Sequence, residues 1–144
     1  MELTFVCKYN LHQMKKLNVL TFFALILLFT SCSTVSKFPV SSVTPAANIV
    51  VYRHHDSNGN NTLDIKAKNL AATDRLLPPK QTYVVWVVLE NHIAKNIGQL
   101  KIKNAKEAEL KTLTAFKYSE IFITAEDQAD VQYPSNIEIS RIRF

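Results

Sequence analysis

The chain has 144 residues, 47% of them hydrophobic and 20% charged, and a formal net charge of +5. Its two glycines, Gly59 and Gly98, are too few for the phosphate cradles of Rossmann and P-loop proteins, and its two cysteines, Cys7 and Cys32, are too few for zinc modules or a disulfide scaffold. The composition suits one globular domain, and the charges are interspersed rather than gathered into a stripe that could track a phosphate backbone, so no nucleic-acid partner is expected.

Met14-Lys15-Lys16 opens a basic segment, and 17–29 is apolar except for Asn18 and Thr21. As a helix that stretch rises only about 20 Å, short of a hydrocarbon core of ~30 Å. Basic start, short apolar run and small residues at Thr30 and Ser31 predict a cleaved secretory signal over 14–31. Residues 1–13 do not fit that design and are expected to be an upstream extension outside the natural start, which would remove Cys7 from the mature protein.

Leu28-Phe29-Thr30-Ser31-Cys32 resembles the lipobox of bacterial lipoproteins, with Phe29 where that motif prefers leucine. The resemblance implies that the Cys32 thiol takes the lipid and becomes the first mature residue. Several acyl chains at ~0.8 kcal/mol per buried methylene anchor durably, where one is marginal. The expected address is the cell envelope, with the outer membrane facing the periplasm favoured because no aspartate follows Cys32. Residues 33–47 are rich in Ser, Thr and Pro without apolar period, so 32–47 reads as a lipidated, flexible tether.

From Asn48 the period changes to two. Ile49-Val50-Val51-Tyr52 reads as a strand, Asn58-Gly59 as a hairpin turn, and Leu63, Ile65 and Ala67 as the buried side of a half-buried strand. Pro78-Pro79 marks a loop, and 83–89 is a continuous apolar strand centred on Trp86. Leu100 and Ile102 alternate with lysines, and 104–107 carries the Asn and Glu of a short capped helix. Further strands are expected over 110–116, 121–124 and 136–144. About seven short strands over 48–144, one carrying a tryptophan, predict an all-β, immunoglobulin-like antiparallel β-sandwich.

Residues 41–144 resemble an uncharacterised family of bacterial envelope lipoproteins, through Pro45-Ala46-Ala47-Asn48-Ile49, Asn58-Gly59-Asn60, the runs at 66–71, 78–80, 82–86 and 98–101, and the segments 114–117 and 123–127. Tyr83, Trp86, Ile97-Gly98, Phe122-Ile123-Thr124 and Glu126 are more distantly similar to the extracytoplasmic sandwich domain of anti-sigma-K-type factors. That likeness implies a regulatory or sensor role in envelope signalling as the alternative, although the zinc-finger segment and spanning helix of those factors have no counterpart here. Neither resemblance supplies catalytic residues.

His54 and Asp56 share a strand face, and His92 is the third ligand that could join them on a metal. A solvated strand end beside a turn explains the first two without an ion, and no metal or other cofactor is expected. The turn also departs from a calcium loop, with Asn61 and Ala67 at the positions that need Gly and an acid. Glu126, Asp127 and Asp130 read as a solvated acidic loop. No nucleophile, base and orienting group stand in a known arrangement, so no enzyme activity is expected. With Trp86 assigned to the core, strand alternation turns Val85 and Val87 outward beside Ile121-Phe122-Ile123. Those five residues are therefore the expected interaction face, for an envelope protein or a second copy of the chain.

Overall fold

The computed structural model describes residues 33–56 and 59–144. Ser33–Phe144 forms one compact unit. Its described residues contain nine strands and one short 3-10 turn: β1 Ser33–Lys37, β2 Asn48–His55, β3 Asn61–Lys68, β4 Thr82–Leu89, β5 Ala94–Gln99, β6 Lys101–Asn104, β7 Glu107–Thr114, β8 Tyr118–Glu126 and β9 Glu138–Arg143, with the turn at Thr73–Arg75. They form two antiparallel sheets, ordered β1-β2-β3-β7-β6 and β5-β4-β8-β9, packed as an all-β sandwich.

The alternating strands fold as their period requires. Leu63 and Ile65 are fully buried and Ala67 nearly so, while Asp64, Lys66 and Lys68 face out. Opposite them across the sheet, Lys111, Glu109 and Glu107 pair in register, giving a lattice of ion pairs on the outer face. At the β2–β3 turn Gly59 has φ 84° and the Asp56 amide donates to the Asn60 carbonyl at 3.0 Å. The left-handed backbone there is the reason for glycine.

Two strands exceed the seven of the sequence reading. The first corrects the tether. Ser33–Lys37 pairs along its whole length with β2, from Ser33 opposite His54 to Lys37 opposite Val50. Phe38 follows into the core and its amide donates to the Ile49 carbonyl at 2.9 Å. Ser41 and Thr44 are buried, with the Ser41 hydroxyl accepting the Thr44 amide at 3.0 Å. Local composition reads as linker because an edge strand takes its order from its neighbour rather than from its own apolar period.

The second is β5, which lacks alternation and depends on Gly98. That residue sits at φ 130°, beside a register shift between Val85 and Trp86, and a Cβ there would lie 3.1 Å from Leu110 Cδ1. At Leu100 the chain then leaves one sheet and enters the other as β6. The helix expected at 104–107 is instead the turn of the β6–β7 hairpin, where the Asn104 side chain accepts the Lys106 amide at 2.9 Å. An Asn and a Glu three apart serve a tight turn as well as a helix start.

The largest correction concerns the faces of β4 and β8. Val85, Val87, Ile121 and Ile123 are fully buried between the sheets, with Tyr83, Ala125 and Leu110 around them. They are the centre of the core and not an interaction face. Trp86 is fully buried as expected, but on the opposite face, in a smaller cluster with Val84, Val88 and Phe122. Its ring stacks on Phe122 with centroids 6.0 Å apart, and the Arg141 guanidinium covers Phe122 at 4.1 Å. The β8–β9 connection closes over this face: the Asn96 amide group donates to the Ala129 and Val131 carbonyls at 2.9 and 3.0 Å, and Val131 packs against the cluster. The alternation holds but its sense is the reverse of the expected one, because burial of both faces leaves the pattern without polarity.

Ile123→Ala should lose about 2–5 kcal/mol in urea denaturation, the cost of a cavity in a packed core. Ile102→Ala, at a side chain that is 84% exposed, should stay within about 0.5 kcal/mol of the parent.

Candidate functional site

At the end of the sandwich away from Ser33, the β3–β4 connection folds back across the sheets. Asn69 starts it with φ 55°, a left-handed conformation that asparagine tolerates, and its amide donates to the Lys106 carbonyl at 2.8 Å. Leu76 is buried as its anchor, and the Lys80 amide donates to the Thr73 carbonyl at 2.9 Å, closing the loop upon itself. Between this loop, the start of β4 and the β6–β7 hairpin lies a groove of about 680 Å³.

Tyr83 and Leu100 line the groove on its core side, and Ile102 on β6 supplies an exposed apolar wall. Asp74, Arg75, Lys106 and Glu107 place charges of both signs around it. The Tyr83 hydroxyl donates to the Ala71 carbonyl at 2.8 Å, tying the loop to the sheet. Burial pushes the phenol up to about 12, so near neutrality it remains a donor. An apolar core side and a mixed ionic border suit recognition of a ligand with both apolar and polar parts.

A second buried polar feature lies behind it, under the β8–β9 connection. The Trp86 indole N–H donates to Thr124 Oγ1 at 2.8 Å, and that hydroxyl donates to Glu126 Oε1 at 2.5 Å. The Ser135 amide donates to the same oxygen at 2.7 Å, and Glu126 is only 3% exposed. This corrects the solvated reading of the acidic cluster. Glu126 is a structural acceptor that pins the connection over Trp86, whereas Asp127 reaches out to Lys80 at 2.7 Å. Glu126 is the last residue of β8 and the connection that follows closes over it, whereas Asp127 lies beyond the strand, a difference that three carboxylates close in sequence cannot reveal.

The metal candidates are not brought together. Asp56 accepts the Asn60 amide at 2.8 Å and the Asn60 side chain at 3.1 Å, so its carboxylate closes the turn. His54 belongs to β2, whereas His92 lies in the β4–β5 turn of the other sheet with φ 63°. Among the described residues no three His, Cys, Asp or Glu side chains are placed to hold an ion. Cys32 lies outside the described residues. The groove itself escaped the sequence reading; its signals were Ile102 exposed between two lysines and the Pro78-Pro79 break, which together mark a long loop beside a sheet edge.

Comparison of the chain with protein-family models, with curated proteins and with solved structures finds no match.

Tyr83→Phe should cost about 0.5–1.5 kcal/mol through the lost hydrogen bond. Because burial raises the phenol above its ordinary 10.0 to about 12, the stability linked to its neutral form is complete below pH 10 and is lost as pH rises towards 12. The Phe variant should therefore show a shallower alkaline limb in stability against pH. Thr124→Val should leave the Trp86 N–H and a Glu126 oxygen each short of a partner, at a cost of about 1–3 kcal/mol with altered Trp86 fluorescence; unchanged stability and emission would show that the relay is dispensable.

Proposed function

We propose that this chain is a lipid-anchored cell-envelope protein, acylated at Cys32, whose β-sandwich serves as a non-catalytic binding module. The observation that carries the reading is a coincidence of boundaries. The leader and the small residues before Cys32 place the processing point between Ser31 and Cys32, and the compact unit begins at Ser33. A lipobox cysteine immediately before the first strand is where an anchor retains the folded domain and discards only the leader. The groove beside β6 is the face offered to a ligand or envelope partner, since the five residues first assigned to partner contact are buried. Ser33 in the position after the cysteine favours the periplasmic side of the outer membrane.

Metabolic labelling of the full chain with an alkyne fatty acid, followed by fractionation, tests the anchor. The parent should carry label and sediment with membranes, and Cys32→Ser should lose both. An unmodified Cys32 in the membrane fraction of the parent would end the proposal.

A further inference from the structure

β1 has an implication for how an anchored domain would stand on its membrane. Ser33 is opposite His54, so β1 starts at the end of the sandwich that carries the β2–β3 turn. The register of the remaining strands gathers other connections at the same end. Asn61 faces Thr114, which leads into the β7–β8 connection with Phe116 and Lys117. Leu89 faces Tyr118, which places the β4–β5 turn with Ile93 there as well. Phe144 follows β9 to this end, its amide donating to the Ser119 carbonyl at 2.9 Å.

This end exposes apolar surface that the fold does not cover. Ile93 is 48% exposed, and Phe116 and Phe144 are each 45% exposed. Phe144 is nonetheless held in place, with the Arg53 guanidinium 3.5 Å from its ring centroid and Tyr118 edge-on at 6.0 Å. Exposed Lys117 follows Phe116 directly. Aromatic and aliphatic side chains beside a cation are the chemistry of a headgroup boundary. The opposite end also exposes apolar residues, Val40, Leu77 and Tyr133 among them. Exposure alone does not choose between the ends; the path of the chain does.

One peptide unit, about 3.5 Å long, joins Cys32 to a residue already paired in the sheet. The other end of β1 is locked by buried Phe38, so no slack can be drawn from the domain without unpairing the strand. We infer that the end of the sandwich bearing Ile93, Phe116, Lys117 and Phe144 rests directly on a phospholipid bilayer, with those side chains at headgroup level. The inference depends on acylation of Cys32 as proposed above. An eight-residue strand such as β3 is about 26 Å long, so the groove at the far end faces away from the membrane by roughly that distance.

The full chain, purified with its native modification, is reconstituted into phosphatidylethanolamine–phosphatidylglycerol vesicles containing a phospholipid with a diazirine in its headgroup. After irradiation, mass spectrometry maps the crosslinked residues and reports in the same spectra whether Cys32 is acylated. Crosslinks at Ile93, Phe116, Lys117 and Phe144 should exceed those at Val40, Leu77 and Tyr133 several-fold. Acylated Cys32 with crosslinks at the far end, evenly distributed, or at no residue of the domain overturns the inference and leaves the anchor standing. Unacylated Cys32 overturns both.

Discussion

A sheet that is apolar on both faces needs two covers, and that requirement organises the molecule. β4 and β8 carry Val85, Val87, Ile121 and Ile123 on one side and Val84, Trp86 and Phe122 on the other. The five-stranded sheet covers the first side. A single loop of about ten residues must cover the second, and a loop brings backbone groups that cannot be buried without partners. Asn96, Glu126 and Ser135 supply them: Asn96 binds two carbonyls of the connection, Glu126 accepts the Ser135 amide, and the Ser135 hydroxyl donates to the Ala125 carbonyl at 2.8 Å. The polar groups under the connection are there because the apolar ones are.

The two outer faces of the sandwich consequently differ in kind. On the five-stranded sheet, Asp64, Lys66, Glu109 and Lys111 interlock across strands, and against the opposing effect of burial the Lys111 and Lys103 ammonium groups hold the Glu109 carboxyl below the usual carboxylate range. Such exposed pairs add little stability each. Their effect is to keep a broad sheet face soluble and to mark which side of β3 and β7 points inward. On the four-stranded sheet, Glu120 accepts from both Arg141 and Arg143, which depresses its carboxyl and fixes the guanidinium of Arg141 over Phe122. There the ion pairs also hold a cover over an aromatic ring.

What could be read from the chain follows from this contrast. β3 has a polar face, so its period gives both the strand and its sense, with Leu63, Ile65 and Ala67 inward. β4 and β8 lack one, so the strands and their adjacency were legible while the sense of Trp86 against Val85 was not. β1 and β5 carry no period of their own: one is ordered by the edge of β2 and the other by a glycine that admits Leu110. The groove belongs to loops whose path is set by contacts distant in sequence, such as Asn69 with Lys106 and Tyr83 with Ala71. Glu126 was legible as a carboxylate but not as a buried one, because its burial depends on a connection that follows it.

The groove and the Ser33 end are kept apart by the same strands. β3 and β7 run in register from Asn61 opposite Thr114 to Lys68 opposite Glu107, so the β2–β3 turn and the β6–β7 hairpin lie at opposite ends of one rigid ladder. Substitutions at the exposed loop positions that line the groove, Asp74 and Arg75, can reshape it without reaching the core, whereas Leu76 anchors the same loop among the buried residues. Changes at the Ser33 end meet a different constraint, since Arg53, Tyr118 and Phe144 there pack on one another across the two sheets. A sandwich built this way can vary the shape of its groove at one end while the other, where β1 begins, stays the same.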